Sequence, residues 1–199
     1  MFGGSSLFVS EPKENRMHEE IIISGFGGQG VLFAGQLLAY AGLAEGKHVT
    51  WIPSYGPEMR GGTAHCTVII SDEEIGSPLV RNPTAALVLN PPSMTRYAPL
   101  LKPNGVLVLD STLVTQRADR TDIREIALPA KDIAAELGFA QIANMVMIGA
   151  LIGATNVVKV ETVEKILEGR IGTRHRDALE PNKHALARGV EYAAEKVLA

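Results

Sequence analysis

"GFGGQGVLFAGQLL", residues 25–38, sets a glycine-rich turn between an apolar run and a stretch that reads as a helix. The run before it, "IIIS" at 21–24, reads as a short buried strand, the helix as residues 31–44, and "HVTWI" at 48–52 as a second strand, giving a βαβ unit. The turn can do either of two things. Its glycines can let strand and helix pack closely, or its backbone N–H groups can approach a phosphate at the positive end of the helix. Gly25, Gly27 and Gly30 satisfy the G-x-G-x-x-G spacing. A dinucleotide site also needs an acidic residue about 20 positions on, at the end of the second strand, to hold a ribose hydroxyl. That place reads "TWIPS", with Glu45 before the strand and Glu58 in the loop beyond it. No Lys-Ser/Thr follows the glycines, which excludes a P-loop. The residues alone leave both packing and contact with a phosphate-bearing ligand open. The missing acid weighs against a free-standing NAD or FAD enzyme.

Outward from the turn, "AHCTVIIS" (64–71), "AALVLN" (85–90), "GVLVLD" (105–110) and "IREIAL" (123–128) are further short apolar runs bounded by turn-forming residues. Such runs read as strands of a mostly parallel sheet with helices on both faces. The second half is helical. "PAKDIAAELG" opens on Pro129 and stops at Gly138, the usual asymmetry of helix ends. "NMVMIGALIGATN" (144–156) is apolar almost all round, so it is expected to be buried by the domain or by another subunit, and self-association of the isolated chain follows from the second case. In the last helix Leu186, Val190, Ala194 and Val197 fall at helical spacing and form the expected docking stripe. The fold class is therefore α/β, a Rossmann-like, mostly parallel sheet in a single domain over 17–199. Residues 1–16, small and polar with Pro12 inside, read as a loose extension.

The 199 residues suit one domain of this kind. A formal net charge of −3 with no basic block gives no footprint for nucleic acid. No apolar stretch reaches the roughly 20 residues needed to span a bilayer, so no membrane partner is expected and the location is read as cytoplasmic. A single cysteine cannot form an internal disulfide or the usual set of about four thiolates for an iron–sulfur cluster.

The loop after the second strand, "SYGPEMRGGTAHC" (54–66), places Glu58 and Arg60 between Gly56-Pro57 and Gly61-Gly62. It leaves the carboxyl end of a strand, where ligands collect in open parallel sheets, and Arg60 offers a planar cation for phosphate or carboxylate. A structural Glu58–Arg60 pair is the alternative. Trp51 and Tyr55 flank this loop and suit either adenine stacking or an interface. His65 and Cys66 point to opposite faces of a strand and so form no catalytic or metal pair. "RHRD" (174–177) reads as a solvated helix entry or a phosphate contact, and Asp110-Ser111-Thr112 as a strand end with a cap.

Together, "GFGGQGVLFAGQLLAYAG" and "SYGPEMRGGTAHCTVIIS" resemble the gamma subunit of the 2-oxoacid:ferredoxin (or flavodoxin) oxidoreductases, most closely the 2-oxoglutarate (2-oxoglutarate synthase) branch. The likeness continues through "LNPPSMTRYAPLLKPNGVLVLDST", "LPAKDIAAELG", "NMVMIGALIGA" and "NKHALARGVEYAAEK". It departs at the first 16 residues and at His65-Cys66, where Asn or a small residue is expected. The resemblance implies a complex that converts a 2-oxoacid and coenzyme A to acyl-CoA and carbon dioxide and reduces ferredoxin or flavodoxin. It puts thiamine diphosphate and magnesium between alpha and beta subunits and iron–sulfur clusters on beta or delta subunits. This chain would then hold no metal and no catalytic residue. By the same resemblance Gly27, Gly28, Gln29, Gly30, Ser54, Tyr55, Glu58 and Arg60 lie at a subunit junction that touches coenzyme A. A purely structural scaffold remains the other reading.

Overall fold

The computed structural model describes residues 16–54, 63–171 and 177–197. The elements run β1 (His18–Phe26), α1 (Val31–Ala44), β2 (His48–Ser54), β3 (Thr63–Ser71), β4 (Ala85–Val88), α2 (Pro91–Tyr97), β5 (Val106–Asp110), β6 (Arg124–Leu128), α3 (Ala130–Glu136), α4 (Ala143–Thr155), α5 (Val160–Arg170) and α6 (Leu179–Val197). One six-stranded sheet has the order β2-β3-β1-β4-β5-β6. β1, β4, β5 and β6 are parallel neighbours, whereas β3 runs antiparallel to both β1 and β2.

The βαβ expectation therefore needs one correction. β1 and β2 do run the same way, but β3 lies between them. The reason is the connection: residues 55–62 are too few for a parallel crossover, which takes a dozen or more, so β3 must return antiparallel. β3 also lengthens β1 beyond the run "IIIS". It pairs all of β1 from His18↔Ser71 to Phe26↔Thr63, while β4 pairs only Ile21 to Ser24.

Alternation along the strands divides the core in two. Ile21, Ile23, Leu87, Val108 and Leu128 face α1 and α4, with α3, α5 and α6 around them. Ile22, Ala86, Val88, Leu107 and Leu109 face the side of α2, where Met94 and Tyr97 close the layer. The apolar helix α4 is buried by this chain itself, against α6, α3 and β5, and Asn144 through Ile152 are all buried. It therefore exposes no face that calls for a partner, and the expectation of self-association loses that support. The docking stripe of α6 is also shifted. Asn182, Ala185, Leu186, Gly189 and Ala193 are buried, Val190 is half-buried and Ala194 is exposed, because α6 packs through its small residues onto α4. The side chain of Val197 lies outside the described residues, as do residues 1–15 of the expected extension. Arg16 pairs with Glu73, and Met17 N–H donates to Asp72 at 2.7 Å.

Candidate functional site

In an open parallel sheet ligands gather beyond the carboxyl ends of the strands, where successive connections leave in opposite directions. Here that switch falls between β1, whose chain continues toward the β2 edge, and β4, whose chain continues toward the β6 edge. The glycine turn stands on it.

The turn's residues divide the work. A Cβ at Gly25 would stand 2.5 Å from Gln29 Oε1 and 2.9 Å from Leu89 Cβ, and one at Gly30 would overlap the Asn144 side-chain amide from α4. These two glycines serve close packing, and Gly30, at φ +74°, also begins α1 with no side-chain cap. Gly28, at φ +93°, has nothing within 4 Å of its would-be Cβ. It is the open position of the turn. Gln29 is engaged at both ends: its Oε1 accepts from Phe26 N–H at 2.5 Å and its Nε2 donates to Leu89 O at 3.1 Å, which ties the ends of β1 and β4 together. On the other face of the sheet, Ser24 Oγ and Ser93 Oγ are 2.7 Å apart, and Asn90 caps α2 by accepting from Ser93 N–H at 2.9 Å.

Beside Gly28 a cavity of about 160 Å³ is lined by Gln29, Leu89, Asp110, Lys131 and Gln141. Asp110 ends β5 and is 1% exposed. Burial raises its pKa above the ordinary carboxyl value, opposed by the Thr112 N–H and hydroxyl and by the N–H groups of Lys131 and Ala130. Asp110 was read from sequence only as a strand end. What would have found it is a lone acid closing an otherwise apolar strand on the glycine turn's side of the sheet. A larger concavity, about 730 Å³, opens at the opposite end of the sheet among Thr84, Lys102, Asn104, Asp122 and Arg124. There Lys102 pairs with Glu20 and Asp122 with Arg120, so those charges are matched within the chain, and the strands that reach it, β1, β4, β5 and β6, present their amino ends.

Of the residues marked from sequence, Gly27, Gly28, Gln29 and Gly30 form the turn, and Ser54 is the exposed last residue of β2, opposite His65. Tyr55, Glu58 and Arg60, and residues 174–176 of the "RHRD" stretch, lie outside the described residues. The two ends of the 55–62 loop are fixed: Ser54 pairs with His65, and Thr63 pairs with Phe26 directly before the glycine turn. Trp51 packs against α1, where its indole Nε1 would stand 2.9 Å from a Cβ at Gly35. His65 and Cys66 do face opposite ways. His65 lies 5.9 Å, centroid to centroid, from Tyr97, and burial and then the Arg96 charge hold its pKa down. Cys66 is fully buried beneath α1, and burial pushes its thiol up to about 12. At pH 8 only on the order of one thiol in 10⁴ is then ionised, so native Cys66 should resist iodoacetamide for as long as the chain stays folded. Labelling at the rate of a free thiol would show that the α1–β3 packing opens readily. Among the described residues no group of three or more His, Cys, Asp or Glu is placed to hold a metal, and no helix is long and apolar enough to cross a membrane.

A nearly parallel sheet with a glycine turn on its switch point defines a Rossmann-like class, and comparison with known proteins narrows it. The model of the pyruvate ferredoxin/flavodoxin oxidoreductase family matches residues 20–192, and the chain belongs to that family. It is 38% identical over 177 residues to ketoisovalerate oxidoreductase subunit VorA of Methanothermobacter thermautotrophicus, covering 88% of this chain but 36% of that one. It is 37% identical to 2-oxoglutarate synthase subunit KorC of Methanocaldococcus jannaschii, over 90% of this chain and 96% of the relative. Among solved structures, the gamma subunit of a keto/oxoacid ferredoxin oxidoreductase from Geobacter sulfurreducens superposes with a TM-score of 0.76 at 35% identity, covering 89% of this chain and 99% of that one. The chain thus spans about a third of the ketoisovalerate relative and nearly the whole of the other two. These names carry different oxoacids.

Proposed function

We propose that this chain is the gamma subunit of a complex that converts a 2-oxoacid, 2-oxoglutarate in the first instance, and coenzyme A to acyl-CoA and carbon dioxide, with reduction of ferredoxin or flavodoxin in the cytoplasm. The near end-to-end match to a 2-oxoglutarate synthase subunit carries this reading. Its partners are alpha, beta and delta subunits. Thiamine diphosphate, magnesium and iron–sulfur clusters belong to those partners, since one cysteine cannot ligate a cluster and the described residues offer no metal-binding group. One cysteine does not fit a cluster's usual thiolate set, and no chemical step is assigned to this chain.

What the chain contributes is a wall of the coenzyme A side. Gly27, Gly28 and Gly30 present backbone at the switch point, and Ser54, with Tyr55, Glu58 and Arg60 after it in the sequence, supplies the second set of contacts. The pairing of Thr63 with Phe26 and of Ser54 with His65 supports this reading, since it brings the chain on either side of these residues close to the glycine turn. Because both ends of the Gln29 side chain are taken up by backbone groups, Gln29 acts by holding the turn open beneath the ligand.

Purified alone, the chain should not turn over 2-oxoglutarate with coenzyme A and a viologen acceptor. Assembled with its alpha and beta partners it should restore turnover, with the highest kcat/KM for 2-oxoglutarate among 2-oxoglutarate, pyruvate and 2-oxoisovalerate. Activity of the chain alone would sink the subunit reading. A different preferred acid would replace the substrate and leave the subunit role standing.

A further inference from the structure

Away from the switch point, the β2 edge of the molecule carries an apolar groove of about 210 Å³ between α1 and β2, lined by Gln36, Ala39, Tyr40, Leu43, Val49 and Trp51. Five of these six side chains are hydrophobic or aromatic, so the groove suits an apolar occupant. Tyr40 and Leu43 are 46% and 55% exposed. Gly42 of α1 lies against Val49 and Gly35 against Trp51, which gives the groove a direction. It runs from Leu43 and Val49, near the start of β2, to Gln36 and Trp51. At that far end Arg170 lies over the Tyr40 ring, 4.4 Å from its centroid, and donates to Gln36 Oε1 at 3.2 Å. β2 is also an edge strand of the sheet, the kind of strand that proteins cover or blunt.

The chain delivers an occupant to the near end. His18 of β1 and His48 of β2 are level, both paired with Ser71 of β3, so the strand starts stand two strand spacings, or about 10 Å, apart. Met17 N–H donates to Asp72, whose carboxylate also pairs with Lys47, the residue before β2. Met17 packs on the α1 side of the sheet, the side on which the groove opens. Upstream of Arg16 the sequence reads "SSLFVS" at 5–10 and then the polar stretch "EPKENR" at 11–16. Seven residue steps separate Val9 from Arg16 and span up to about 23 Å, enough to reach β2 and pass along the groove. The family match begins at residue 20, so nothing in it assigns these residues a role. A segment on the same chain meets the groove at an effective concentration on the order of mM, an advantage that a separate chain lacks.

We propose that Leu7, Phe8 and Val9 of the amino-terminal segment dock in the groove between α1 and β2. The apolar triplet covers Leu43, Tyr40 and Trp51, and the polar stretch 11–16 is its tether. Docking shields the β2 edge from pairing with a strand of another molecule. The proposal is independent of the coenzyme A reading.

Trp51 is the only tryptophan of the chain and lines the groove, so its fluorescence reports occupancy. In the purified full chain, the double substitution Leu7→Asp/Phe8→Asp should shift Trp51 emission to the red and raise its quenching by acrylamide. The melting temperature should be little changed, because the substituted residues lie outside the two core clusters. A synthetic peptide of residues 5–12, added to the doubly substituted chain, should reverse both effects with a Kd at or below about 0.1 mM. With the tether supplying on the order of mM, that affinity corresponds to docking by about ten to one in the intact chain. Leu43→Asp, at an exposed position in the last turn of α1, should abolish the peptide's effect. Equal emission and quenching in the wild-type and doubly substituted chains overturns the proposal. So does quenching that falls with protein concentration alike in both chains, which would make a second copy the occupant. Protection of Trp51 that arises only when alpha and beta chains are added would give the groove to a partner subunit and likewise overturn it.

Discussion

Gly189→Ala is expected to lower the melting temperature of the chain by about 6–12 °C, although alanine is the better helix former by about 1 kcal/mol. The opposing effect is steric. A Cβ at Gly189 of α6 would overlap the carbonyl oxygen of Val146 and stand 2.8 Å from the backbone nitrogen of Ala150, both in α4. The reciprocal contact is as close: a Cβ at Gly149 would overlap the Leu186 carbonyl oxygen and stand 2.9 Å from its carbon. These atoms are backbone, so no side chain can swing aside and the helices must move apart. Overpacking of this kind costs about 1–3 kcal/mol and occasionally more, and α4 lies at the centre of the larger core, so we place the net loss at about 3 kcal/mol. Gly169 in α5 is the control, because its would-be Cβ meets nothing within 4 Å. Gly169→Ala should leave stability unchanged or raise it by up to about 1 kcal/mol. Urea and thermal unfolding of the two variants side by side measure the difference. A Gly189→Ala protein as stable as Gly169→Ala would mean that α4 and α6 are not in backbone contact.

Arg60→Ala is expected to raise the Kd of the assembled complex for coenzyme A by about 10- to 150-fold, the equivalent of a charge-assisted hydrogen bond of roughly 1.5–3 kcal/mol. Arg60 is the only permanent cation between the anchors Ser54 and Thr63, and Thr63 is paired next to the glycine turn. If the chemistry of the 2-oxoacid takes place on partner subunits, the first electron transfer in the absence of coenzyme A should be unaffected. The measurement therefore has two parts, coenzyme A affinity and that first step, on complexes of confirmed stoichiometry. Weakened affinity with an intact first step is the expected result. Unchanged affinity in an intact complex discards the phosphate contact. Loss of assembly would place Arg60, with Glu58, in the subunit interface.

The strands and the helices α1, α3, α4 and α6 were legible because each carries its own signal, whereas α2 and α5 were not read from the sequence. The apolar runs that became β1, β3, β4, β5 and β6 are bounded by turn residues, and α3 follows Pro129 and stops before Gly138. Strand order was not legible at the β2 edge. The antiparallel return of β3 follows from a connection length that matters only once β2 and β3 share a sheet. The stripe on α6 was displaced for a similar reason. Hydrophobicity alone picks Val190 and Ala194, whereas the contact with α4 selects the smallest residues, Gly189 and Ala193.

By itself the sequence determined the α/β class, the glycine turn at its carboxyl edge, the opposed faces of His65 and Cys66, and membership of an oxidoreductase family whose motifs are contiguous in the chain. The tertiary structure alone decided that α4 is covered from within, that Gly25 and Gly30 pack while Gly28 stays open, and that Asp110 reaches the turn's cavity. The physical reason is range. Periodicity, caps and local motifs are properties of neighbours along the chain. Burial of a helix by a helix some 40 positions on, or of an acid beside a glycine some 80 positions back, exists only when the sheet brings β1, β4 and β5 side by side.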